Sequence, residues 1–247
     1  MLTNIPYLDK VFLSKKTLNI EGREIPFNSG INPEEAKKLI EVINLKKPIN
    51  TLEIGLAMGS SAVCFLESKK LFTNSCMHYA IDPYQFIDYD GAGVKIINDH
   101  NLSINFKLLE GKTHDVFHYF FEKNIILDMA FIDGWHTFDY TLIDFFLIDQ
   151  ILKPGGVIAF HDMYALSKIK VLKYILTHRE YRIMTEHILV EPNKFKTIKF
   201  LLWRIYRNPL LIFSRYFWKF QIKSPFGLIF IEKKSNYEPN FDFYKSF

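Results

Sequence analysis

The chain has 247 residues, of which 49% are hydrophobic and 23% charged, and its net charge is +4. That is an ordinary globular composition with enough length to bury a core, and the charge is too small to mark the whole chain as a nucleic-acid binder. Two cysteines, Cys64 and Cys76, argue against a disulfide framework and for a reducing, cytoplasmic setting. The opening MLTNIPYLDKVFLSKK lacks the apolar stretch of a signal peptide, and no uncharged apolar run of about 18 residues predicts a membrane span.

Residues 1–31 show no clear period and read as an N-terminal arm to a domain over 32–247. NPEEAKKLIEVINL (32–45) predicts a helix: Asn32 can cap it, Pro33 suits its first turn, and Glu34 and Glu35 oppose its dipole. INTLEIGL is a short apolar run ending at Gly55, which fits a buried strand. SSAVCFLESKKLF then reads as a helix, MHYAIDP as a second strand stopped at Asp82-Pro83, and INFKLLEGKT as a third ending at Gly111. DVFHYFFEKN predicts a helix and LDMAFIDG a fourth strand ending at Asp133. TFDYTLIDFFLIDQIL predicts a strong helix, with Tyr140, Ile143, Phe146, Leu147 and Ile151 on its apolar face. Lys153-Pro154-Gly155-Gly156 stops it before a fifth strand, GVIAFHD. ALSKIKVLKYILTH predicts another helix, YRIMTEHILV a sixth strand and FGLIFIEK a seventh.

Strands alternating with helices predict an α/β fold with a doubly wound, mostly parallel sheet. Ligands of such sheets bind beyond the carboxyl ends of the strands. Polar or flexible residues recur at those ends: Gly55, Asp82, Gly111, Asp133, and His161 with Asp162. The stretch LEIGLAMGSS (52–61) turns from strand to helix through two glycines, Gly55 and Gly59. Glycine lets a ligand approach the backbone, and a helix N-terminus offers free N–H groups. The spacing is neither the dinucleotide fingerprint nor a P-loop, and taken alone it also fits a plain tight turn.

Together these motifs narrow the reading. LEIGLAMGSS resembles the first motif of class I S-adenosylmethionine-dependent methyltransferases, YAIDPYQ their acidic second-strand motif, and DMAFIDGWHTFDYTLIDFFLIDQILKPGGVIAFHDM their fourth-to-fifth-strand stretch. The set is most similar to the O-methyltransferases of sugars, macrolides and related hydroxyl compounds, with catechol-type enzymes more distant. The resemblance covers roughly residues 30–165 and implies a Rossmann-like seven-stranded sheet. It implies that Gly55, Gly59 and Ser60 shape the loop around the methionine part of S-adenosylmethionine, and that Glu53 supports that loop or the amino group. Asp82 would accept the ribose hydroxyls, Gly111 and Thr113 would lie near the adenine, and Asp133 would border the cofactor. Asp82 also suits a turn before Pro83.

Asp133 and Asp162 end the fourth and fifth strands, whose tips would be about 5 Å apart if the strands are neighbours. Two carboxylates so close need a proton, a cation or a metal to offset their repulsion, and hard oxygen donors favour Mg²⁺ or Ca²⁺. In metal-dependent relatives a divalent ion at these positions holds the acceptor oxygen. Those relatives often carry Asp-Asp, Asp-Asn or Glu-Asp where this chain has His161-Asp162. Three arrangements stay open: a Mg²⁺ site, a site with an imidazole ligand, and a metal-free site with a histidine base. His136 is the leading base candidate because imidazole titrates near neutrality; otherwise it caps or packs its loop. His161 is a second catalytic or metal-ligand candidate, or else orients Asp162. The implied reaction moves a methyl group to a hydroxyl of a small molecule or glycan. N-methylation and a non-catalytic cofactor-binding protein are the alternatives.

Residues 191–224, before the last strand, look like an insertion, with 8 Lys or Arg against the single Glu191 and nine aromatics interleaved. Split by Pro209, this basic helical segment reads as a lid, as packing on the domain or on a second copy of the chain, or as a peripheral contact at the inner membrane face. No RNA- or DNA-binding module accompanies it.

Overall fold

The computed structural model describes residues 2–73, 75–163, 165–187 and 227–247, together with 198, 202–203, 205–206 and 209–213. Most of the expected insertion at 191–224 therefore lies outside the described residues. The fold is Rossmann-like α/β. Its central sheet has seven strands: β3 (Asn50–Ile54), β4 (Met77–Ile81), β5 (Phe106–Leu109), β6 (Leu127–Ile132), β7 (Leu152–Phe160), β8 (Tyr181–Ile183) and β9 (Ile229–Lys233). They lie in the order β5-β4-β3-β6-β7-β9-β8. The first five are parallel; β9 runs antiparallel to both β7 and β8. The chain reverses its winding between β3 and β6, which opens a crevice at their carboxyl ends.

Alternation along each strand sorts the core into two layers. Leu52, Ile54, Ile132, Ile158 and Phe160 face one layer; Met129, Phe131, Val157 and Ala159 face the other. The second layer is covered by α2 (Pro33–Lys46), α3 (Ser60–Lys69) and α4 (Ala92–Asp99). The first is covered by α5 (Thr113–Val116), α6 (His118–Glu122), α7 (Phe138–Ile151) and α8 (Leu166–His178). α2 starts as expected, and closes a full capping box: Glu35 N–H donates to Asn32 Oδ1 while Asn32 N–H donates to Glu35 Oε2.

The expected N-terminal arm holds a helix, α1 (Pro6–Ser14), and a hairpin, β1 (Lys16–Leu18) with β2 (Glu24–Pro26). Leu8 and Phe12 of α1 are buried in the layer that α2 and α3 cover. These elements are too short to show a period, and long-range burial stabilises them instead. The helix expected over DVFHYFFEKN breaks into the short α5 and α6. The buried face of α7 is Thr141, Asp144, Phe145, Ile148 and Ile151, whereas Ile143 and Phe146 are exposed. That helix is apolar nearly all round, so its sequence does not specify which stripe turns inward. Finally, Lys153 to Gly156 lie within β7, which begins directly after α7, and of the sixth strand expected over 181–190 the described residues give three in β8 and then a 3-10 turn at Thr185–His187, with 188–190 outside the described residues.

Candidate active site

A cleft of about 870 Å³ opens at the carboxyl ends of the central strands, within the range of small-ligand sites. Gly55, Ala57, Asp82, Gly111, Thr113, Asp133, His136, His161 and Asp162 all line it. The glycine loop forms one wall. Gly55 and Gly59 both hold left-handed backbone, as does Ala57 between them. Gly55 also has no room for a side chain, since a Cβ there would lie 2.5 Å from the Asp133 carbonyl oxygen. Gly59 heads α3 and packs on Gly93 and Ile96, outside the cleft lining.

Asp82 braces this loop. Its Oδ2 accepts from the N–H groups of Leu56 and Ala57, at 3.0 and 2.9 Å, and its Oδ1 from Tyr84 N–H at 2.8 Å. Burial raises its carboxyl despite those three donors. A carboxylate has about four acceptor positions, so one remains for a ligand. Glu53 and Ser60 do not reach the cleft. Strand alternation turns Glu53 toward α3, where it is fully buried and accepts from Ser61 Oγ at 2.5 Å, with His78 Nε2 3.3 Å away. Burial raises this carboxyl well above its ordinary value. Ser60 Oγ instead accepts from Ile31 N–H, tying the arm to α3.

Beside the glycine loop, the ends of β6 and β7 bring Asp133, His136 and Asp162 together. His136 Nε2 lies 3.4 Å from Asp133 Oδ1 and 3.5 Å from Asp162 Oδ2. The three residues offer ligand atoms within 4.8 Å of one another. Ser167 Oγ, at the start of α8, donates to the His136 carbonyl and fixes that loop. Asp162 is held in left-handed backbone, the kind of strain that concentrates at functional sites.

His161 faces a different set of partners. Its Nε2 lies 3.1 Å from Glu35 Oε2, and its Nδ1 lies 2.9 Å from Asp133 Oδ2 in a charge contact that is not aligned as a hydrogen bond. Asp162 Oδ1 is farther, at 3.7 Å. Burial alone would lower this imidazole, but Asp133 and Glu35 raise it well above its ordinary value. The ligand atoms that lie within 4.8 Å of one another belong to Asp133, His136 and Asp162, while the two ring nitrogens of His161 face Glu35 and Asp133. Burial would likewise raise Asp133; His161, His136 and Lys168 outweigh it and hold the carboxyl well below the usual range.

Several residues in and behind the cleft walls carry no signal in the sequence. Lys168 of α8 is fully buried, with Nζ donating to the His161 carbonyl at 2.9 Å and standing 3.5 Å from Asp133 Oδ1. Glu35 reads in the sequence as a helix-start acid and nothing more. Trp135 and Tyr84, with ring centroids 5.9 Å apart, border the cleft, and Asn28 to Gly30 of the arm close one side. Asp144 of α7 accepts from Thr113 Oγ1 at 2.6 Å. With Asp82, Asp88, Asp133, Asp144 and Asp162 in its walls, the cleft is rich in carboxylates, a lining suited to a cationic ligand.

A family described as a methyltransferase domain matches residues 52–163. No match was found among curated protein sequences. Solved structures are similar at low identity. An O-methyltransferase from Bacillus cereus in complex with S-adenosylhomocysteine is 15% identical, with TM-score 0.55, covering 63% of this chain and 74% of that one. The O-methyltransferase TomG from Streptomyces achromogenes, involved in tomaymycin synthesis and bound to S-adenosylmethionine, is 13% identical, with TM-score 0.53, covering 83% and 82%. The methyltransferase PaMTH1 from Podospora anserina, bound to S-adenosylhomocysteine, is 13% identical, with TM-score 0.53, covering 84% and 80%. No helix among the described residues is long and apolar enough to cross a membrane. Strand order, glycine loop and these likenesses converge: the chain has the class I S-adenosylmethionine-dependent methyltransferase fold, related to that of O-methyltransferases.

Proposed function

We propose that this protein transfers a methyl group from S-adenosylmethionine to a hydroxyl oxygen of a small molecule or glycan. One observation carries the reading. A single cleft is lined both by the glycine loop with Asp82 and by Asp133, His136 and Asp162, so groups suited to a cofactor and groups suited to an acceptor share one chamber. The methyl group arrives already activated on a sulfonium, and the protein's task is alignment and proton removal. Gly55 and Ala57 would hold the methionine part against the loop, Asp82 would accept from the ribose, and the carboxylate walls would favour the positive sulfur. His136 would take the acceptor's proton as the oxygen–methyl bond forms and the sulfur–methyl bond breaks. Trp135 and Tyr84 would shelter this exchange from water.

A second reading rests on the same three side chains. Two carboxylates and one imidazole this close fit a divalent cation of mixed oxygen and nitrogen preference, such as Mn²⁺, as well as they fit a base held by two acids. Bound there, such an ion would lower the acceptor hydroxyl's pKa and orient it. Asp133, His136 and Asp162 would then be its ligands, and His161 would remain with Glu35.

The test is calorimetric titration with S-adenosylmethionine and with NAD, each with Mg²⁺, with Mn²⁺ and with EDTA, followed by methyl transfer to a panel of hydroxylated and amine acceptors. The expected result is S-adenosylmethionine binding that weakens in Asp82→Ala, with turnover on a hydroxyl acceptor. Preference for NAD, or turnover only on amines, would overturn it.

A further inference from the structure

We propose that Glu53, His78, Thr51 and Lys69 form a buried proton wire, which places a negative charge beneath the glycine loop when the cleft holds a cation; the inference rests on the cofactor proposed above. All four side chains are fully buried between the sheet and α3. They form one line. Lys69 Nζ lies 2.6 Å from Thr51 Oγ1, which lies 2.7 Å from His78 Nδ1. His78 Nε2 then faces Glu53 Oε1 at 3.3 Å, and neither of these two atoms has an aligned hydrogen bond. Ser61, at the loop end of α3, donates to the other oxygen of Glu53, and Lys69 ends the same helix. The line therefore runs the length of α3, roughly 12 Å.

Every group in the line is satisfied in two ways. In the charged arrangement the Lys69 ammonium donates three times, to the carbonyls of Ile49 and Met77 and to Thr51 Oγ1. The Thr51 hydroxyl then donates to His78 Nδ1, and His78 Nε2–H points at the Glu53 carboxylate. In the neutral arrangement each of these donors reverses. Glu53 Oε1–H donates to His78 Nε2, His78 Nδ1–H donates to Thr51 Oγ1, and the Thr51 hydroxyl donates to the Lys69 amine, which keeps its bonds to Ile49 and Met77. Three protons, each moving to the next atom, convert one arrangement into the other. Glu53 gives its proton to His78 Nε2, Nδ1 gives its own to Thr51, and Thr51 gives its own to Lys69. No proton enters or leaves.

Two buried charges are costly without compensation. Burial raises the Glu53 carboxyl, lowers Lys69 to about 7 and keeps His78 neutral, so the neutral arrangement is the resting one. The other groups that face the two ends act only through space: Cys64, Asp82 and Asp133 on Glu53, and Cys76 and Asp128 on Lys69. Asp82 also lines the cleft, which sets the Glu53 end of the wire behind the cofactor wall. A sulfonium in the cleft would attract negative charge at that end and draw the wire into its charged arrangement. Methyl transfer removes the positive charge, and the wire returns. It thus tells cofactor from product by charge.

The experiment is nitrogen-15 NMR of the full chain labelled at histidine, which distinguishes Nδ1–H from Nε2–H. The His78 signals are assigned through the Phe65 ring, stacked on them at 4.8 Å. Without ligand, and with neutral S-adenosylhomocysteine, His78 should carry its proton on Nδ1; with S-adenosylmethionine it should carry it on Nε2. In Glu53→Gln the amide donates to Nε2 and has no proton to hand on, so Nδ1–H should persist with either ligand. By calorimetry this variant should lose about tenfold in affinity for S-adenosylmethionine and little for S-adenosylhomocysteine. One tautomer throughout in the unmodified protein would overturn the wire, whether or not the variant folds. An equal loss for both ligands in Glu53→Gln would also overturn it and leave the line as structural support. Binding of neither ligand to the unmodified protein would overturn the proposed cofactor first, and this inference with it.

Discussion

His161 Nε2 stands 3.1 Å from Glu35 Oε2, joining side chains 126 positions apart. Glu35 also accepts from Asn32 N–H at 2.8 Å, so one carboxylate both starts α2 and holds the ring behind the candidate active site. Asn32→Ala removes only the cap and should cost about 1 kcal/mol. Glu35→Ala removes the cap and leaves the buried imidazolium with one acid fewer, and should cost about 3 kcal/mol or more. Urea unfolding of the two variants makes the comparison, and equal losses would mean that the ring contact contributes nothing.

The same cluster sets a pH window. His161 is raised, so its stabilisation is complete below the ordinary histidine value and is lost as pH rises toward its own. Asp133 is depressed, so its stabilisation is complete above the ordinary carboxylate value and is lost as pH falls toward its own. The cluster should therefore stabilise most between roughly pH 4 and 6.5. Thermal melts of the unmodified protein and of His161→Asn across pH should differ most inside that window and converge on the alkaline side. A constant difference at every pH would contradict the assignment of charge.

Gly55→Ala should be damaging for two reasons. The new Cβ would lie 2.5 Å from the Asp133 carbonyl, and the backbone there has φ +92°. Gly22, at φ +82° with no atom within 4 Å of where its Cβ would stand, is the control for backbone conformation alone. Gly22→Ala should cost about 1 kcal/mol. Gly55→Ala should cost about 2 kcal/mol or more and should also weaken S-adenosylhomocysteine binding. Equal melting shifts would show that the wall yields.

Titration with Mn²⁺ separates the two readings of the acid–histidine cluster. If the cluster is a metal site, His136→Gln and Asp162→Asn should each lower affinity about tenfold or more, and His161→Asn should lower it less. Saturable binding lost only in His161→Asn would reverse the roles assigned to the two histidines. If Mn²⁺ does not bind, His136 is left as the base, and methyl transfer should persist in EDTA.

Asp144→Asn should raise stability in alkaline solution. The fold favours the protonated acid, with its value pushed up to about 6, so the folded protein loses stability as pH rises from the ordinary carboxylate value through about 6. The variant should be more stable by about 1–3 kcal/mol near pH 8, with the gap closing near pH 4 in melts over that range.

The seven-stranded sheet was legible because each central strand is an apolar run closed by a glycine or an aspartate. The same regularity located the cleft, since the ends of those five strands line it. What was not legible depended on contacts across the chain. Nothing near His161 announces Glu35, and Lys168 lies in an ordinary helical stretch. Asp144 sits on a helix whose apolar residues point every way, so its inward turn follows from packing against the sheet. Glu53 stands two residues before Gly55 in the chain, but strand alternation sends its side chain to the far side, to Ser61.

β9 lies between β7 and β8, yet it is the last of the seven strands in chain order. While the polypeptide is being synthesised, β7 has one neighbour and β8 has none, and each presents unpaired backbone groups until residues 229–233 emerge. Such edges invite pairing with other chains. The sheet thus closes from its interior only once residues 229–233 have been made, and a stop before Ile229 would release a chain with two adhesive edges in place of a simple shortening.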